Sequence, residues 1–260
     1  MIPFALFYTE QDAKRNASFI EALLEAGKRV QLDGTLVTDE QKLHPYDYIF
    51  NRTRIHHEAL KTLDATFFNP LRVNVLANDK EKTIQFAQML GIPTIPTTRF
   101  TQPLPPFPIV LKTRDGHGGE EVYLCYDERD VAIVTERHDP HTLLVQPYVE
   151  SDATDVRIWM VGKHILGAVK RQGKENFKSN YTLGGTVTPF ELPSVLVEYA
   201  TRIQRALHSD YIGIDFLIGR DGHFYLNEIE DPVGARSLYE TTEIDVASCI
   251  MQHIAKRIHH

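Results

Sequence analysis

The stretch YIGIDFLIGRDGHFYLNEIED, residues 211–231, sets two apolar runs on either side of Arg220-Asp221-Gly222-His223. That turn signature predicts a β-hairpin. With Asp221-Gly222 as a two-residue loop, antiparallel pairing places Asp215 directly opposite Glu228. Glu230 then follows on the same face, because side chains on one face recur every second residue. Like charges opposed across a sheet destabilise it. Three carboxylates on one face of an otherwise apolar hairpin therefore call for a cation, and hard divalent ions such as Mg²⁺, or Mn²⁺ in its place, take oxygen ligands of this kind. The rival reading is a solvated strand end with its acids facing water. A three-residue loop would break the Asp215–Glu228 pairing.

The rest of the chain bounds the alternatives. Its 260 residues are enough for a large core, built as one composite domain or as two to three small lobes. A formal charge of −7 argues against a nucleic-acid or membrane-surface binder, since those need a basic patch. No apolar run reaches membrane-spanning length, and the two cysteines, Cys125 and Cys249, lack metal-type spacing. A reducing cytoplasm is the expected compartment.

Outward from the hairpin, the N-terminal residues read as a small parallel α/β lobe. FALFY (4–8), KRVQLD (28–33) and YDYIFNRT (46–53) are strand-like, and QDAKRNASFIEALLEAGK (11–28) is helical with Gly27 at its C-cap. Asn51 and Arg52 lie where open α/β sheets place ligand contacts. Asn78 or Asp79 caps a helix that Gly91 and Pro93 end, with Ile84, Phe86, Ala87, Met89 and Leu90 as its buried stripe. Lys80 in its first turn opposes the helix dipole and is eased by a nearby anion. Ile109-Val110-Leu111 delivers Lys112 to a glycine-rich loop, residues 115–119, whose backbone amides can approach an anion. Plain turn is the bland reading of that loop. Asp155–Val161 pairs with His164–Lys170 across Gly162-Lys163, which sets Asp155 against Lys170. The stripes of residues 193–207 (Leu196, Tyr199, Ala200, Ile203, Leu207) and of the last helix (Ile244, Ala247, Met251, Ile254, Ile258) fit internal packing or a dimer face.

In order, NDK…GIP (78–93), FPIVLK…DGHGG (107–119), VQPYV (145–149), DVRIWMVG (155–162), VKRQGKENFKSNYTLGGT (169–186), GIDF (213–216) and NEIEDPVG (227–234) resemble the ATP-grasp superfamily, specifically its RimK-like carboxylate–amine ligases. The resemblance implies an α/β fold with α+β lobes: an N-terminal lobe (1–77), a central subdomain with the glycine-rich flap (78–149) and a C-terminal subdomain with the metal site (150–260), enclosing ATP. It implies nucleotide contacts from Lys80, Lys112, Gly116, His117, Gly118, Gly119, Gln146, Tyr148, Val149, Asp155, Lys178, Ser179 and Asn180. It implies metal ligation by Asp215, Glu228 and Glu230, and catalytic roles for Arg157, Asn180 and Lys112. Arg236 stands as a clamp for an acidic substrate, or as a surface arginine. Pro147 replaces the usual hinge glutamate, and Glu230 replaces the usual asparagine.

The activity so implied is Mg²⁺-dependent amide formation through an acylphosphate. The substrates would be amino acids, peptides, or a protein or carrier tail, and oligomeric state is open. A phosphotransferase on the same scaffold and a nucleotide-binding module without turnover are the rivals.

Overall fold

The computed structural model of the chain describes residues 1–54, 57–116, 121–173 and 185–259. It begins with β1 (Ile2–Phe7), α1 (Glu10–Arg15), α2 (Ala17–Arg29), β2 (Leu32–Val37), β3 (Tyr48–Asn51), α3 (His57–Leu60), β4 (Thr66–Phe68) and α4 (Leu71–Ala77). The strands form a parallel sheet in the order β2-β1-β3-β4. Alternate residues feed two cores, Phe4 and Leu6 on one face and Ala5 and Phe7 on the other, as expected for a parallel sheet covered on both sides.

Two local expectations are corrected here. The helix expected over residues 11–28 is divided at Asn16, whose Nδ2 donates to Asp12 O at 2.7 Å and closes α1. Gly27 is an interior, buried residue of α2 rather than its cap; a Cβ there would meet Leu32 O at 3.5 Å. Val30 is the C-cap, Gln31 takes the left-handed turn at φ 64°, and β2 starts later than the sequence pattern places it.

The middle of the chain supplies α5 (Lys80–Met89), β5 (Thr98–Arg99), β6 (Ile109–Thr113), β7 (Val122–Cys125), α6 (Glu128–Arg137) and β8 (Leu143–Pro147). Its antiparallel sheet runs β5-β8-β6-β7. Asp79 caps α5 by accepting from Lys82 N. Ile84 and Ala87 are buried, whereas Met89 is 78% exposed, so the buried stripe is narrower than expected.

The remainder comprises β9 (Thr154–Val161), β10 (His164–Gln172), β11 (Thr186–Pro189), α7 (Ser194–Leu207), β12 (Tyr211–Ile218), β13 (Phe224–Glu230), α8 (Arg236–Thr241) and α9 (Val246–His259). Its antiparallel sheet has the order β11-β10-β9-β12-β13. Val156, Ile158 and Met160 on one face of β9 pack with Leu196, Ala200, Ile203 and Leu207 of α7. Trp159 and Val161 on the other face share a core with Phe4, Leu6 and the Ala247, Met251 and Ile254 stripe of α9. Both helical stripes are thus covered within the chain, and this last core ties the N-terminal sheet to the C-terminal one. Among the described residues, no helix is long and apolar enough to cross a membrane.

The β12–β13 hairpin reaches the expected register by an unexpected route. Ile218 pairs with Phe224, so the connection is Gly219–His223 rather than Asp221-Gly222 alone. That slips the pairing by one residue. A bulge then leaves Asn227 extra between the pairs Phe216–Leu226 and Asp215–Glu228, and the slip is undone. Asp215 lies opposite Glu228.

Candidate functional site

Four neighbouring strands build a layer of charge on one sheet face. Asp215 of β12 pairs in register with Glu228 of β13 on one side and with Arg157 of β9 on the other. One oxygen from each of Asp215, Glu228 and Glu230 falls within a cluster no wider than 4.8 Å. Arg157 donates through Nε and Nη2 to both oxygens of Asp215, at 2.7 and 2.6 Å, and its Nη2 also reaches Glu230 Oε1. The expected Asp155–Lys170 pair does not form. A register shift between Ile165 and Gly167 of β10 brings Arg171, not Lys170, opposite Asp155.

Arg171 went unnamed in the sequence reading, and only this bulge reveals it. It donates through Nε and Nη2 to Asp155 at 2.6 and 2.7 Å, and Nη2 reaches Asp215 at 2.7 Å. Burial pushes the Asp215 carboxyl up, but the two arginines outweigh it and hold the group below the usual carboxylate range. Glu230 goes the other way. Burial, reinforced by Asp215 and Glu228, raises it despite Arg157.

Two lysines approach from α5 and β6. Lys80 begins α5, is buried, donates to Gly116 O and lies 3.7 Å from Glu228 Oε1. Lys112 on β6 is 3% exposed; burial, only partly offset by Glu228, lowers its pKa to about 8. A buried cation of this kind makes Lys112 a functional-site candidate.

A cavity of ≈ 1020 Å³ lies at this face, with Lys80 outside its wall. Lys112, Arg157, Arg171, Asp215, Glu228 and Glu230 line its middle. Ile95, Val110, Val122 and Leu217 give an apolar end beside Gln146, Pro147, Tyr148 and Val149. Gln146 Nε2 donates to Thr97 Oγ1 at 2.6 Å, and Tyr148 N–H donates to Pro108 O. Pro147 has no N–H, and the Val149 N–H has no partner among the described residues. Asp155 is buried behind Arg171 and is not part of the cavity wall.

Of the substrate candidates, Arg52 and Arg236 line the cavity. Asn51 does not, because its Oδ1 is turned into its own loop, accepting from Thr53 N and Oγ1 at 3.0 and 2.9 Å. His117, Gly118, Gly119, Lys178, Ser179 and Asn180 lie outside the described residues.

The model of the RimK-like ATP-grasp domain matches residues 70–254. The "Uncharacterized protein MG011 homolog" of Mycoplasma pneumoniae is 29% identical over 241 residues, 89% of this chain and 84% of that protein. The probable alpha-L-glutamate ligase of Picosynechococcus sp. is 30% identical over 194 residues, 69% of this chain and 64% of that protein. The structure of D-cycloserine synthetase DcsG superposes with a TM-score of 0.75 at 16% identity, covering 98% of this chain and 99% of that one, which shows a shared fold. By the extent of the domain match, the chain belongs to the RimK-like ATP-grasp family.

Proposed function

We propose that this chain is an ATP-dependent, ADP-forming ligase that joins a carboxylate to an amine through an acylphosphate. The carrying observation is the convergence of Asp215, Glu228 and Glu230 with Lys112 and Arg157 on one cavity. In that reading the apolar end takes the purine, with the Val149 N–H as the hinge donor that Tyr148 and Pro147 cannot provide. Lys112 and Lys80 hold the phosphates as point charges at a buried position.

A hard divalent ion fits the three carboxylates, since the donor set is all oxygen and its atoms lie within 4.8 Å. When bound, Mg²⁺ neutralises charge on the β- and γ-phosphates. Arg157 and Arg171 balance the acids, so the site is not left as a cluster of repelling anions. In the reaction, a substrate carboxylate oxygen attacks the γ-phosphorus as the bond to the bridging oxygen breaks, giving acylphosphate and ADP. An amine nitrogen then attacks the acyl carbon, phosphate departs, and the nitrogen gives up a proton. Arg157, fixed by two carboxylates and lying over the Trp159 ring at 5.9 Å, stabilises the charge that develops on the transferred group. The chain's share is positioning and charge neutralisation. Family membership and a relative named as a glutamate ligase support amino acids or peptides as substrates.

Incubation with ATP, Mg²⁺, a panel of amino acids and dipeptides, and hydroxylamine tests this reading. A trapped hydroxamate is expected wherever ADP forms. ADP with a phosphorylated acceptor and no hydroxamate would mark a phosphotransferase instead, and binding without ADP would mark a module without turnover.

A further inference from the structure

The arginines around the cavity fall into two groups that differ in what they bind. Arg157 and Arg171 are each paired with two carboxylates. Arg15, Arg52, Arg54 and Arg236 line the end that meets the N-terminal sheet and α8, and among the described residues none has a carboxylate within ion-pair distance. Their recorded donations go to neutral oxygens. Arg236 Nη2 donates to Arg15 O at 3.2 Å, and Arg54 Nη2 to Pro232 O at 3.3 Å. Arg52 donates through Nε to Tyr8 Oη at 3.3 Å and through Nη2 to Val233 O at 2.6 Å. Of the acids around this end, Asp12 accepts from the Thr9 hydroxyl, Asp245 from Arg29 and Ser248, and buried Asp231 from Asn74 Nδ2, while Glu243 also lines the cavity; Asp231 attracts Arg52 and Arg54 without pairing with either.

Arg52 is the extreme case. It is 4% exposed, lies within 5.3–6.0 Å of the Phe50, Tyr211 and Tyr8 ring centroids, and its Nη1 has no hydrogen-bond partner. Asp231 attracts it but makes no ion pair with it, and a buried guanidinium with a vacant donor is costly. Four arginines from three elements line this end of the cavity, alongside Asp12, Glu243 and Asp245. An anion entering the cavity gives the vacant Arg52 donor a partner.

We propose that this arginine-lined end is an anion subsite that binds a carboxylate of the substrate other than the one activated beside Arg157, with Arg52 and Arg236 as its principal cations. The reacting carboxylate must lie by the acids and Arg157, so a second carboxylate held across the same cavity sets the substrate's direction. The inference rests on the ligase reading for its purpose, but the subsite has a test of its own.

Succinate and succinamate are nearly equal in size and differ by one carboxylate. Titration of the intact protein with each, followed by the fluorescence of Trp159, the chain's single tryptophan, compares their affinities. Trp159 lies beneath Arg157, and its Nε1 donates to Gly234 O in the segment that Arg52 also holds. Succinate should bind at least about tenfold more tightly than succinamate, as expected for one charge-assisted carboxylate contact. Arg236→Gln and Arg52→Lys should each reduce that preference while leaving ADP binding intact, and inorganic phosphate should not compete with succinate at equal concentration. Equal affinity for the two acids, or an unaltered preference in both variants, would overturn the subsite; so would full competition by phosphate, which marks a general anion hole. Arg236 starts a helix at the surface, so its variant stays informative if Arg52→Lys fails to fold. Preference for succinate without hydroxamate formation would sink the ligase reading alone, whereas hydroxamate made equally well from both acids would sink the subsite alone.

Discussion

Replacing Lys112 by methionine should make this protein more stable and less able to hold nucleotide. Lys112 is 3% exposed, and burial brings its pKa from the ordinary 10.5 to about 8. That interval, at about 1.4 kcal/mol per pH unit, is a penalty of about 3 kcal/mol for carrying the charge in the fold. The sign follows from proton counts. Between pH 8 and 10.5 the unfolded chain binds more protons at this position than the folded one, so stability rises with pH across that window, and below it the penalty is complete. Lys112→Met removes the charge from both states. At pH 7 the variant should gain up to about 3 kcal/mol, or about 6–12 °C in melting temperature for a chain of this size, and the gain should fade as pH approaches the ordinary lysine value. Urea denaturation at pH 7 and pH 10 measures it, with MgADP affinity by calorimetry as the counterpart, expected to weaken at least about tenfold. A variant no more stable than the parent at pH 7, or a gap that does not change with pH, would refute the argument.

Other expectations follow from the same geometry. Asp215→Ala strands two buried arginines and should destabilise by about 3–5 kcal/mol, whereas Glu228→Gln, at a half-buried position, should cost under about 1 kcal/mol yet also abolish ADP release; parallel denaturation and ADP assays separate the two, and a fully stable Asp215→Ala would contradict the pairing. Glu230→Asn removes one negative charge from the metal-ligand candidates, so the Mg²⁺ concentration for half-maximal turnover should rise about tenfold; an unchanged midpoint would take Glu230 out of the site. MgADP binding at pH 8.5 should take up a proton, because phosphates favour the charged form of Lys112, and at pH 6.5 the uptake should vanish; calorimetry in two buffers of different ionisation enthalpy reads it. Gly213→Ala brings a Cβ to within 2.6 Å of Val233 Cγ2 and should destabilise by about 1–3 kcal/mol through the segment that Arg52 and Trp159 hold, as a melting curve will report.

Residues that depend on local chemistry were legible from their neighbours along the chain. Asp79 caps α5, Lys80 takes its first turn, and Ile109–Leu111 carries Lys112 into the cavity wall. Each of these follows from a cap, a stop or an apolar run a few residues long. Gly27 shows the limit of that approach. Its spacing matches a C-cap, but it lies inside α2 facing Phe4 and Leu32, and only the packed sheet supplies those neighbours.

By itself the sequence determined that Glu228 and Glu230 share a face of one strand and that two lysines and a glycine-rich loop precede them, because strand alternation and helix stops are short-range rules. It did not determine the path by which Asp215 meets Glu228: a longer connection and a bulge at Asn227 cancel, and bulges respond to the pairing of whole strands. The same kind of irregularity in β10 exchanged Lys170 for Arg171 as the partner of Asp155, which placed a second arginine on Asp215. Tertiary structure alone decided which arginines have counter-ions. Charge on a list of residues is uniform, whereas burial and register pair Arg157 and Arg171 with carboxylates and leave an Arg52 donor vacant, and that contrast exists only where three sheets meet at one cavity.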